Sequence, residues 1–152
     1  MMNRRRFFAG IGMTGLGLAA LGPRTVHAQV QVFDPKMLDA VTKGAGARRA
    51  RVKLDLPVLA DNGNSVAMKV AVQSAMSPTD HVKTITLVSE RNPVRNMATF
   101  HIGPRAGRAE IVSRLRLAGS QWVAAVAEMS DGSFFYAAER VVVTLSACVD
   151  ES

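Results

Sequence analysis

One thiol, Cys148, stands out among the groups in this 152-residue chain that could do chemistry. It is the single cysteine, and only Val149 to Ser152 follow it. A chain with one thiol closes no internal disulfide. Cysteine is ordinarily a small buried hydrophobe, whereas a chain end is where order is weakest. As thiolate it is a nucleophile that forms and exchanges covalent bonds. Its place near the end points to a thiol presented to other molecules.

No other constellation supplies a self-contained active site. The three histidines are His27, His81 and His101. Neither His81 nor His101 has a partner at i+3 or i+4, and no Cys/His or carboxylate cluster has metal-ligand spacing. No G-x-S-x-G nucleophile elbow occurs. Gly10–Gly17 resembles a phosphate loop in composition only. Asp80 and Glu90 read as solvated charges at a turn and a strand end. The expectation is therefore a protein that is not an enzyme by itself, with no metal and no cofactor.

The first 28 residues read as an export signal. Asn3-Arg4-Arg5-Arg6-Phe7-Phe8 follows the twin-arginine pattern, with Arg4 and Arg5 as the pair. A glycine-rich, weakly apolar stretch runs from Ala9 to Gly22, and Val26-His27-Ala28 is a cleavage site of the A-x-A kind. The apolar run is shorter than the roughly 20 residues a spanning helix needs. Cleavage after Ala28 and a periplasmic product, with no membrane attachment, are expected. Four of the 19 basic residues and none of the 12 acidic ones lie in this segment. The remainder carries 15 against 12, a formal charge of +3 instead of +7. With no basic helix and no interleaved aromatics, nucleic-acid binding is not expected.

Residues 29–145 are enough for one domain with one core. Pro35 to Lys43 reads as a short helix, with Asp34 as cap and Met37, Leu38 and Val41 on one face. Gly44 and Gly46 end it. Arg48-Arg49-Ala50-Arg51 reads as a solvated basic connector. Beyond it the period becomes two. Val66, Met68, Val70 and Val72 alternate with Ala67, Lys69, Ala71 and Gln73. Ile85 and Leu87 alternate with threonines. Ile111, Leu115 and Leu117 oppose Glu110, Arg114 and Arg116. Trp122, Ala124 and Val126 share a face, with Trp122 read as core packing. Phe135, Ala137, Val141 and Val143 alternate with Phe134, Tyr136 and Val142. Asp61-Asn62-Gly63-Asn64 and Asp131-Gly132 mark turns. With Arg51–Leu54 and Ala98–Ile102 as short strands, the pattern predicts about seven strands. The predicted fold is all-β, an immunoglobulin-like antiparallel β-sandwich with a short N-terminal helix. Residues 146–152 form a C-terminal arm bearing Cys148.

Several stretches resemble the SoxY family, the sulfur-carrying subunits of the periplasmic Sox thiosulfate-oxidation system. They are Leu54-Asp55-Leu56-Pro57, Ala60 to Val66, Val82-Lys83, Ile85 and Glu90-Arg91-Asn92-Pro93. The most specific is Ala125 to Phe134, which leads through a strand to Thr144-Leu145 and the terminal cysteine. The resemblance covers most of the chain after residue 28. It implies an immunoglobulin-like fold and pairing as a heterodimer with a SoxZ-like β-protein. It further implies transient contact with other Sox enzymes and a carrier cysteine, by position Cys148. On that thiol, thiosulfate-derived sulfur would be held covalently between enzymes.

The arm departs from the family's Gly-Gly-Cys-Gly-Gly pattern. It reads Ser146-Ala147-Cys148-Val149-Asp150-Glu151-Ser152, with no glycine. Glycines give backbone freedom and a small cross-section, whereas Val149 is stiff. Asp150 and Glu151 set negative charge near the thiol, which disfavours thiolate and repels anionic substrates. Two readings stand: a sulfur carrier, and a diverged SoxY-like module that pairs with a SoxZ-like chain without carrying sulfur.

Overall fold

The computed structural model of the protein describes residues 32–145. The expected signal with Arg4 and Arg5, and the arm with Cys148, lie outside the described residues.

Eight strands form two sheets: β1 (Val52–Asp55), β2 (Leu59–Asn62), β3 (Val66–Val72), β4 (Val82–Ser89), β5 (Asn96–His101), β6 (Ala109–Leu115), β7 (Gln121–Met129) and β8 (Phe134–Leu145). The smaller sheet runs β1-β3-β6 and the larger β2-β8-β7-β4-β5. In β3 the alternation of the sequence is kept: Val66, Met68, Val70 and Val72 are buried, while Ala67 and Lys69 are exposed. Facing residues Ile85, Leu87, Val123, Ala125, Phe135 and Val141 complete the core between the sheets. Along β4 the register shifts between Val82 and Thr84, opposite Met129 and Glu128. That extra residue lets Val82 and Ile85, an odd number apart, both turn inward.

The outer face of the large sheet is covered by the segment before β1. Pro35–Leu38 forms a 3-10 turn capped by the Asp34 carboxylate, which accepts from Lys36 N–H. It continues into a single helical turn, α1 (Asp39–Thr42), closed by Lys43 in the left-handed region. Leu38 packs with Val88, Ala124, Val126 and Ala138 in a second apolar cluster. Phe33 stacks on Tyr136 and meets the half-buried Trp122 edge-on, at centroid distances of 5.5 and 5.7 Å. Trp122 therefore packs beneath this cover and not between the sheets.

Three expectations need correction. There are eight named strands among the described residues, because Leu59–Asn62 pairs with the end of β8. That pairing is parallel, so the sandwich is not wholly antiparallel: the chain leaves β1 in one sheet and enters the other beside the last strand. The Arg48–Arg51 stretch is not a free connector. Arg48 bridges Phe135, donating to Phe134 O and accepting from Tyr136 N–H. The guanidinium groups of Arg48 and Arg51 lie 4.8 and 5.1 Å from the Phe135 ring centroid, within cation–π range. The linker thus covers the first half of β8's edge and β2 covers the second.

Candidate functional site

The structure fixes the chain as far as Leu145, three residues before Cys148. The end of β8 is held from both sides. Gly63 N–H donates to Leu145 O at 2.7 Å, and Thr144 Oγ1 donates to Asp61 O at 2.6 Å. On the other side Val143 N–H donates to Ser120 Oγ at 2.9 Å, and that hydroxyl donates back to Val143 O at 3.3 Å. At no more than about 3.6 Å per residue, the Cα of Cys148 lies within about 11 Å of that of Leu145. The end of β8 is thus a fixed root for the residues that follow.

The root sits at one end of the sandwich, among the β2–β3 turn and the β4–β5 and β6–β7 loops. The turn is shaped by Asn62, whose Oδ1 accepts from Asn64 N–H at 2.8 Å. Gly63 O then accepts from Leu117 N–H at 2.8 Å, joining the turn to the next loop. Gln121, fully buried, ties the two long loops together. Its amide donates to Asn92 Oδ1 at 2.9 Å and Gly119 O at 3.2 Å, and its Oε1 accepts from Arg91 N–H at 2.9 Å. Asn92 also donates to Arg116 O and accepts from Ala118 N–H.

This scaffold places cationic groups around the root. Arg91 Nη1 donates to Ser120 O at 3.2 Å, and Arg114 Nη1 to Ser65 Oγ at 3.1 Å. Ser120 is the residue that holds Val143, and Ser65 lies two beyond the Gly63 that holds Leu145. Arg116 is exposed just before Leu117. None of the ion pairs Arg51–Asp80, Lys53–Asp55, Lys69–Glu110 and Lys83–Glu128 includes Arg91, Arg114 or Arg116. Beside them, between the edges of β5 and β6, opens a cleft of about 410 Å³ lined by Leu87, Met97, Phe100 and Leu115, with Arg114 and Arg116 on its rim.

In the sequence Arg114 and Arg116 stand only as the polar face of a strand, and Arg91 only as part of a family stretch. No local spacing joins them to the end of β8; the side-chain hydrogen bonds that gather them join residues 24 to 49 apart in sequence. The histidines stay apart from this end. His81 Nδ1 lies 3.0 Å from Ser77 O, and His101 sits opposite Thr84 on edge strand β5. Among the described residues no three His, Cys, Asp or Glu side chains group as a metal site. Nor is any described helix long and apolar enough to cross a membrane.

The family model described as "Sulfur oxidation protein SoxY" matches residues 38–148. The chain belongs to the SoxY family. The match ends on Cys148, so the SoxY alignment spans both the sandwich and the arm up to its thiol. No curated protein matches the chain. Among solved structures, the sulfur carrier protein SoxY of Chlorobium limicola f thiosulfatophilum superposes with a TM-score of 0.59 at 21% identity, covering 72% of this chain and 90% of that one. A superoxide reductase (neelaredoxin) of Ignicoccus hospitalis gives 0.55 at 15% identity, covering 62% and 80%. A putative superoxide reductase of Thermotoga maritima gives 0.51 at 13%, covering 60% and 84%. At these identities the likeness shows the fold alone.

Proposed function

We propose that this SoxY-family chain is a sulfur carrier of periplasmic thiosulfate oxidation, with Cys148 as its covalent handle. The observation that carries the reading is the family match, which runs through the sandwich and ends on the chain's single thiol. The pinned end of β8 suits the role: a rigid body presents a tethered nucleophile to successive enzymes. The signal at residues 1–28 is cleaved near Ala28, the sandwich of 29–145 pairs with a SoxZ-like β-protein, and the arm of 146–152 visits the other Sox enzymes.

In the first step the Cys148 thiol and thiosulfate join through a new S–S bond, giving a cysteine S-thiosulfonate. The thiol proton is released, and two electrons pass to an acceptor held by the partner enzyme. Water then cleaves the bond between the outer sulfur and the sulfonate group, releasing sulfate and leaving a persulfide. A further enzyme oxidises that sulfur. The catalysts are other proteins, and this chain supplies the attachment atom and the body that carries it. A second reading, a SoxZ-pairing module that carries no sulfur, draws on the arm's departure from the glycine pattern.

Intact mass of the mature protein from thiosulfate-fed cells separates the two readings. The carrier predicts a reductant-labile sulfur or thiosulfonate adduct mapping to Cys148. It also predicts that Cys148→Ala abolishes thiosulfate-dependent respiration. An unmodified thiol while the pathway runs would favour the pairing module.

A further inference from the structure

We infer that β6 pairs with β6 of a second copy of this chain, antiparallel about Val112, so that two three-stranded sheets become one of six strands. Three observations lead there. The first is direction. Gln73 N–H donates to Arg51 O at 2.8 Å, one step beyond the Val52–Val72 pair of β1 and β3. Antiparallel bonding alternates along a strand. Gln73, Ala71 and Lys69 thus turn their backbone groups to β1, and Val72, Val70, Met68 and Val66 turn theirs to β6. The partners of the latter are Ala109, Ile111, Ser113 and Leu115. The N–H and C=O groups of Glu110, Val112 and Arg114 therefore point away from β3, along the outer edge.

The second is pattern. β6 spans Ala109–Leu115, so Val112 is its centre. Glu110 and Arg114 stand two residues to either side, and all three are exposed, Val112 to 72%. Turned about Val112, the strand presents Glu110 to the second copy's Arg114, Arg114 to its Glu110, and Val112 to its Val112. A strand that is its own complement closes a two-fold interface. Directly opposed residues lie about 5 Å apart at Cβ, where opposite charges stabilise the pairing. Lys69 Nζ lies 3.0 Å from Glu110 Oε1, which leaves the other oxygen for an arginine across the seam. The third is the edge itself. β6 carries no proline and no glycine, devices that blunt natural edges. At seven residues it is longer than the edge strands β1, β2 and β5. β5 has no Asp, Glu, Lys or Arg to set a register.

One strand pair is a small interface of the weak, transient class. Arg108 and Arg116 come opposite each other just beyond the strand's ends, and their repulsion limits the affinity further. The pairing therefore belongs to the chain by itself at high concentration, and a partner's strand laid on β6 displaces it. The inference stands apart from the sulfur-carrier reading, and its test involves no sulfur chemistry.

Sedimentation equilibrium of the mature chain, kept reduced, from about 10 μM to about 1 mM is expected to show a monomer–dimer equilibrium. As the dimer fills, amide exchange should slow at Glu110, Val112 and Arg114. E110R and R114E should each weaken dimerisation about tenfold, since two favourable cross-strand pairs become two repulsive ones. R114E does so with the Lys69–Glu110 pair intact. An equimolar mixture of the two variants should associate again, because the two arginines of one chain then face the two glutamates of the other. That rescue also shows that neither variant is misfolded. R116A should tighten the dimer by about two- to threefold, because it removes the like charge opposite Arg108. A monomer throughout, a dimer indifferent to both charge reversals, or a mixture no tighter than its parts would overturn the inference. So would weakening by R116A, which belongs to a register shifted by two residues, or protection confined to β5.

Discussion

Gln121 does more at the root of the arm than its sequence position announces. It is buried and its side chain satisfies three groups from two loops. An apolar replacement leaves those groups without their partner inside the protein, and an unsatisfied buried group costs about 1–3 kcal/mol. Gln121→Leu is therefore expected to destabilise the sandwich by about 2–3 kcal/mol in urea unfolding and to loosen the loops that hold Arg91 and Arg116. A change under half a kilocalorie would show that the network is dispensable. At the opposite end, Asp131 accepts from the Ser133 hydroxyl at 2.6 Å and from its N–H at 2.9 Å. These bonds, the hydroxyl's first, hold the Asp131 carboxyl below the usual range. Because the folded pKa is depressed, its contribution to stability is present above the unfolded value and fades as pH falls through the folded one. Ser133→Ala should move the carboxyl titration, followed by carbon NMR, up toward the ordinary aspartate value. No movement would assign the shift elsewhere.

At the scale of elements, the segment of residues 33–42 acts as a lid on the large sheet. Leu38, almost wholly buried, is its anchor among Val88, Ala124, Val126 and Ala138. Large-to-small changes at such sites cost about 2–5 kcal/mol. Leu38→Ala is expected near the lower end, about 2–3 kcal/mol by urea melt, because a short surface segment relaxes more readily than a sheet core. Near-neutral behaviour would mean that the segment is not docked in solution. The short capped helix of this segment was legible in the sequence, from Pro35, Asp34 and the Met37–Leu38–Val41 face, but its seat on the large sheet was not. Legible too were β3, β4, β6, β7 and β8, whose alternation is local. Two further features were not. β2 is four residues with one buried position, and it exists because β8 offers it an edge. Arg48 to Arg51 read as solvent-exposed charge because nothing nearby in sequence reveals the Phe135 ring. The candidate site divides in the same way. Cys148 is visible as a lone thiol, whereas the arginines and the Asn92–Gln121 network near the end of β8 arise only when distant loops meet.

For the molecule as a whole, a two-sheet sandwich leaves four edges: β1 and β6 in one sheet, β2 and β5 in the other. A sheet edge is where a further strand can pair. β1 and β2, at four residues each, are short enough to be blunted, whereas β5 and β6 run six and seven. A SoxZ-like β-protein covering one of these edges would meet the demand that the fold itself creates. Mixing the two purified chains at micromolar concentration is expected to give a single heterodimer peak in size-exclusion chromatography with light scattering. Amide exchange should then slow at alternate residues of one edge strand, since only one side of an edge strand gains partners. Two separate monomer peaks would remove the pairing from the proposed role. A heterodimer with no newly protected edge would move the contact to a sheet face, and the outward-facing Val58, Leu59 and Val142 beside β8 would be the next surface to alter.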